Sequence, residues 1–227
     1  MTSRNLICLV TDRHLLSPGA GDRQALDRVV KLVEAAAHAG VDLIQIRERD
    51  LHARDLMTLA ERCVAAGRGT VAKIVVNDRV DVALAAGAHG VHLRSDSVEA
   101  ARVRRLVQPG ATVGRSVHRA EEARGAAAGG GVDYLVFGTV FSSASKPPGH
   151  SLSDLDELAR AARAAAVPVL AIGGIVPESA ETVVKAGAGG IAGIGLFIPP
   201  PGTSLERHLE STVASLRRAF DTCEAVP

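Results

Sequence analysis

The stretch Ala186-Gly187-Ala188-Gly189-Gly190-Ile191-Ala192-Gly193-Ile194-Gly195 holds the key to the fold. An Ala-rich helical segment ends at Gly187, a residue that accepts the left-handed backbone needed to stop a helix. A short apolar run follows at 190–194, bounded by glycines, and reads as a buried strand. The same turn phrase occurs at Ala39-Gly40-Val41-Asp42 and at Ala86-Gly87-Ala88-His89. It marks equivalent helix-to-strand turns, a repeat within one fold rather than a solenoid.

Working outward, short apolar runs alternate with helical stretches along the whole chain. Strands are expected at 6–10, 42–46, 73–76, 90–93, 112–114, 134–137, 167–172 and 190–194. Helices are expected at 25–39, 53–66, 79–86, 98–107, 119–128, from about 153, at 177–186 and at 204–220. Ser153 is the expected cap of the sixth-strand helix, and Pro177 suits a first helical turn. Eight strand–helix units with no compositional break predict a single (β/α)8 TIM barrel over residues 1–227, its parallel strands closed on themselves.

Composition narrows the function classes. Of the 227 residues, 47% are hydrophobic and 2% aromatic, with no Trp, so the core is aliphatic and no base-stacking platform is present. A net charge of +1 gives no global field for nucleic acid or anionic membrane. Cys8, Cys63 and Cys223 lie too far apart for a metal motif and read as core residues. No apolar run has the length of a membrane span, and the first residues lack a signal-peptide core, so a cytoplasmic protein is expected. The oligomeric state is left open, a homo-oligomer included.

In such barrels chemistry sits at the C-terminal strand ends. Polar residues gather there: Gln45, Arg47 and Arg49; Asn77 and Asp78; His92, Arg94 and Asp96; Ser116 and His118; Ser143, Ser145 and Lys146; Gly173-Gly174; Ile194-Gly195. Gln45 and Arg47 alternate along a strand and point the same way, and an inward arginine needs an anionic partner. The glycines after the seventh and eighth strands let backbone N–H groups approach a phosphate, or serve a tight turn alone. Asp78 could hold Mg2+, pair with Arg79 or cap the next helix. His92 and His118 are each placed to move protons near neutral pH, or to serve structure. Residues 142–149 suit a lid over a phosphate, or a plain surface loop.

Val10-Thr11-Asp12, Gln45-Ile46-Arg47-Glu48-Arg49, Asn77-Asp78-Arg79-Val80-Asp81, Gly90-Val91-His92-Leu93, Gly114-Arg115-Ser116-Val117-His118 and Ala171-Ile172-Gly173-Gly174-Ile175 follow one another as they do in thiamine phosphate synthases. They also resemble the related thiazole tautomerases. The likeness runs over about residues 6–197. For a synthase it implies the coupling of hydroxymethylpyrimidine pyrophosphate with thiazole phosphate. Gln45, Arg47, Arg49 and Asn77 would surround pyrophosphate and pyrimidine, Ser116 would touch the pyrimidine, and Asp78, with Asp96 in reserve, would hold Mg2+. Ser143, Ser145 and Lys146 would grip phosphate, and Gly173, Gly174, Ile194 and Gly195 would bind the thiazole phosphate.

Four departures stand out. Arg49 replaces the usual Lys, and Ser97 occupies the place of a second metal carboxylate, with Asp96 one residue away. Gly195 stands for a serine, and Thr139 for the tautomerase's catalytic histidine. A tautomerase, with His118 as an acid–base group and no metal, and a non-catalytic phosphate-binding relative are the rival expectations.

Overall fold

A computed structural model of the chain describes residues 4–142 and 154–224. Eight parallel strands close into one barrel in the order of the sequence. They are β1 (Leu6–Val10), β2 (Leu43–Ile46), β3 (Lys73–Asn77), β4 (Gly90–Leu93), β5 (Thr112–Val117), β6 (Tyr134–Gly138), β7 (Val169–Ile172) and β8 (Gly190–Gly193). Closure pairs Leu6 with Gly190 and Leu9 with Gly193. Around them lie α1 (Arg13–Leu16), α2 (Asp22–His38), α3 (Ala53–Ala66), α4 (Val80–Ala85), α5 (Ala100–Arg104), α6 (Ala120–Ala128), α7 (Leu155–Ala164), α8 (Ala180–Lys185) and α9 (Leu205–Glu224).

The repeated turn is the same device three times. Gly40, Gly87 and Gly187 have φ of +92°, +61° and +98°. In each, the glycine N–H and the next N–H fold back onto the last helical carbonyls: Gly40 to Ala37 and Val41 to Ala36, Gly87 to Leu84 and Ala88 to Ala83, Gly187 to Val184 and Ala188 to Val183. These are Schellman closures. The following N–H enters the sheet directly, Asp42 onto Ile7 O, His89 onto Ile74 O and Gly189 onto Val169 O. A local turn therefore sets the strand register at three places around the barrel.

Alternation along each strand makes two cores. Outward residues such as Ile7, Ile44, Ile74, Val91, Val113, Leu135, Ala171 and Ile191 pack under the helices. Inward residues Cys8, Val10, Leu43, Val75, Tyr134, Val136, Leu170 and Ala192 fill the barrel itself. Above this apolar plug the inward positions turn polar, with Gln45, Asn77 and His92 all buried.

Several boundaries differ from expectation. The strand expected at 167–172 begins at Val169, because Pro168 has no N–H for the ladder and contributes only its carbonyl, to Leu135. The helix expected over 98–107 shrinks to Ala100–Arg104. Ser153 lies outside the described residues; the cap seen is Asp154, whose carboxylate accepts from Glu157 N at 2.6 Å. Pro177 opens a 3-10 turn, Pro177–Ser179, ahead of α8. Two short elements were not expected: α1, capped by Asp12 accepting from Leu15 N, and a 3-10 turn at Gly195–Phe197. Both are too short to leave a periodic signal.

Candidate active site

The C-terminal ends of the strands enclose a cavity of about 640 Å³. Gln45, Arg47, Arg49, Asn77, Ser116 and His118 line one part of it. Gly173, Gly174, Ile194 and Gly195 line another. The predicted substrate-binding set that falls within the described residues is thus gathered around one space. Ser143, Ser145 and Lys146, with the expected lid beyond Ser142, lie outside the described residues.

Arg47 follows β2 and its backbone N–H is held by Thr11 Oγ1 at 2.9 Å. Its side chain is half-buried. Burial, and then the neighbouring Arg49, press its guanidinium below its ordinary range. Among the described residues neither Arg47 nor Arg49 has a carboxylate in ion-pair contact. Two cations set side by side, neither in direct contact with a carboxylate, favour an anion between them.

The position of Arg47 depends on residues the sequence reading did not single out. Glu48 points away from the cavity and is 3% exposed. It accepts from Thr11 Oγ1 at 2.7 Å, from Arg13 N, and from the Arg13 guanidinium at 3.4 Å. Arg13 also forks onto Asp50 at 2.5 and 2.7 Å. Burial raises the Glu48 carboxyl, while these donors pull it back. One signal was available: a carboxylate beside an inward arginine, on the opposite face of the strand, must bury its charge against some other cation.

His92 was expected either to move protons or to serve structure. It lies across the barrel interior, Nδ1 on Tyr134 Oη at 3.0 Å and Nε2 on Ser116 Oγ at 2.9 Å. Burial, with the charge of Arg47 added, pushes its pKa down to about 3. It is therefore neutral in the folded protein near pH 7, and with both ring nitrogens engaged the geometry favours the structural reading. Between the ordinary value of 6.5 and about 3 the unfolded chain takes up a proton here and the folded chain does not. Stability from this residue is thus lost as pH falls through that window, by up to about 1.4 kcal/mol per pH unit. Urea unfolding at a series of pH values should show a shallower slope below pH 6.5 in His92→Gln than in the parent, and identical slopes would contradict the assignment. His118 is exposed on the cavity wall, Nδ1 at 2.6 Å from Gly138 O.

Gly173 and Gly174 have φ of +105° and +60°. A Cβ at Gly174 would stand 2.1 Å from Ser142 O, and one at Gly173 would stand 2.4 Å from Thr139 Cγ2. Backbone alone fits between β7 and the loop after β6, so the turn reading is satisfied and bare main chain also faces the cavity. The 3-10 turn Gly195–Phe197 starts on the same wall, the place where barrels of this class commonly seat phosphate.

Asp78 neither pairs with Arg79 nor caps α4. Arg79 forks onto Asp81, at 2.8 and 2.6 Å. Asp78, at φ +62°, accepts from the Ser97 hydroxyl and faces Arg94 Nη1 at 3.8 Å. Arg94 Nη2 meets Asp96 at 2.6 Å. Arg94 and Asp96 line the cavity; Asp78 does not. No cluster of three or more His, Cys, Asp or Glu converges as a metal site among the described residues. Nor, among them, is any helix long and apolar enough to cross a membrane.

Residues 7–197 match the family described as thiamine monophosphate synthase. The thiamine-phosphate synthase of Roseiflexus castenholzii is 38% identical over 216 residues, 95% of this chain and 91% of that protein. That of Methanoculleus marisnigri is 37% identical over 190 residues, 82% of this chain and 88% of its own. The solved thiamine phosphate pyrophosphorylase of Pyrococcus furiosus superposes with a TM-score of 0.77 at 28% identity, covering 96% of both chains. With the closed barrel, the strand-end cavity and these relatives together, the chain belongs to the thiamine monophosphate synthase family.

Proposed function

We propose that this protein is a thiamine phosphate synthase, a transferase that joins hydroxymethylpyrimidine pyrophosphate to thiazole phosphate. The carrying observation is Arg47 beside Arg49, two cations in no direct ion pair among the described residues, in a cavity whose other wall is the bare backbone of Gly173, Gly174 and Gly195. The C–O bond from the pyrimidine methyl carbon to pyrophosphate breaks, the thiazole nitrogen bonds to that carbon, and pyrophosphate leaves with the electron pair. Arg47 and Arg49 neutralise the departing anion. Gln45, whose Nε2 donates to Asn77 Oδ1 at 2.9 Å, and Ser116, braced by His92, orient the pyrimidine. The thiazole phosphate rests on the glycine turns.

Magnesium is the cofactor the resemblance implies, with Asp78 and Asp96 as its ligands. The folded donor set does not fit it. Mg2+ wants oxygen ligands in a tight octahedron. Here the Asp78 carboxylate accepts from Ser97 and is not among the groups lining the cavity, and a guanidinium stands between the two acids. No step is therefore routed through the metal.

Purified protein should form thiamine phosphate from the two precursors, detected by mass spectrometry. Arg47→Met should lower kcat/KM about 100-fold, in the range for one lost transition-state donor, with an unchanged melting curve. Absence of product would leave the tautomerase or the non-catalytic binder. Proton exchange on thiazole phosphate that disappears in His118→Ala marks the former, since Thr139 stands in place of the tautomerase histidine. Binding without turnover marks the latter.

A further inference from the structure

We propose that Arg94 is a resident cation of the pyrophosphate site: held between Asp78 and Asp96, it carries the positive charge that would otherwise come from a divalent ion. This rests on the synthase reading for its chemistry, though not for the anion binding itself.

The arrangement is built from two adjacent loops. Asp78, after β3, is fixed by its own N–H on His92 O at 2.8 Å. Ser97, after β4, accepts from Arg94 N at 2.9 Å and spends its hydroxyl proton on Asp78 Oδ1. One serine thus ties both loops and engages one of the two Asp78 carboxylate oxygens. The Arg94 side chain folds back over that link, Nη1 toward Asp78 at 3.8 Å and Nη2 on Asp96 at 2.6 Å. A dication on Asp78 would face this guanidinium directly, and like charges at that range repel strongly in a partly buried site.

Arg94 is about half-exposed and lines the cavity that Arg47 and Arg49 line. Among the described residues, three arginines there face one lining carboxylate, Asp96. The remaining N–H groups of the Arg94 fork suit the paired oxygens of a pyrophosphate, as a guanidinium binds phosphates bidentately. Two residues establish the exchange together: a serine where the carboxylate would be, and an arginine whose reach brings its charge back to the same point.

The test uses the full chain and inorganic pyrophosphate in calorimetry, with EDTA present. The parent should bind; Arg94→Gln should bind at least 10-fold more weakly, and Arg94→Lys should recover part of the loss. Mn2+ titration followed by electron paramagnetic resonance should show no tight site in the parent and a new one in Arg94→Gly/Ser97→Asp. Pyrophosphate binding that requires Mg2+, or that Arg94→Gln leaves unchanged, would overturn the proposal. Arg94-dependent binding in EDTA from a protein that makes no thiamine phosphate would support it while refuting the synthase reading. Circular dichroism melts separate these outcomes from a failure of the variants to fold.

Discussion

Replacing Arg13 with alanine is expected to destabilise the protein by about 3–5 kcal/mol, the range for removing one partner of a buried ion pair. Arg13 is 4% exposed and Glu48 3%. Without the guanidinium, Glu48 keeps Thr11 and a backbone N–H but loses its cation, and its already raised carboxyl rises further. A carboxyl raised in the folded state stabilises below its ordinary value and loses that contribution as pH climbs through the folded value. Asp50, held well below its usual range by Arg13, adds a second loss that appears only where it is ionised. Both groups make the deficit larger at pH 8 than at pH 4. Chemical denaturation at the two pH values tests this, and Arg13→Ala/Glu48→Gln should regain part of the loss at pH 8. An equal deficit at both pH values, or one below 1 kcal/mol, would show that the network is not the anchor of the β1 and β2 loops.

The second large effect lies at the barrel floor. A methyl at Gly114 would stand 2.1 Å from Tyr134 Cζ and 2.4 Å from its hydroxyl. Tyr134 is among the largest fully enclosed side chains, with its ring next to His92. Gly114→Ala must push a rigid ring against strands on all sides, at or beyond the upper end of the roughly 1–3 kcal/mol usual for overpacking. Trimming the ring should relieve it: in Gly114→Ala/Tyr134→Leu the two changes should cost less together than the sum of the singles. Gly90 is the control. Its Cβ would meet the Thr112 carbonyl oxygen at 1.8 Å, and no side-chain change removes a carbonyl. Thermal melts of the singles and the double decide the matter; strict additivity at 114 and 134 would refute the fit.

The features readable in the sequence are those whose cause is local. The Ala-Gly turn repeats because a helix end and a strand start lie within four residues, and alternation alone aims Gln45 and Arg47 at one space. What stayed hidden depends on register across strands. Glu48 and Arg13 are 35 positions apart, and only the pairing of β1 with β2 brings them together. Gly114 faces Tyr134 across the β5–β6 ladder. The Asp78–Ser97–Arg94 group joins two loops, so the family resemblance that implied Asp78 and Asp96 as metal ligands could not show a guanidinium folding back between them.

Helix α9 has a consequence for the order in which the barrel can close. Arg217 on α9 donates to Asn5 O at 2.6 Å, Gly40 O at 3.1 Å and Asp42 Oδ2 at 2.5 Å, while β8 completes the sheet against β1. The β1 segment and the turn before β2 therefore wait for a residue 212 and 175 positions further along before these hydrogen bonds are made. Contacts at such separation are slow to form, because the intervening chain must first be ordered. Until β8 is in place, β1 keeps an open edge, a row of unpaired N–H and C=O groups on which another chain could pair.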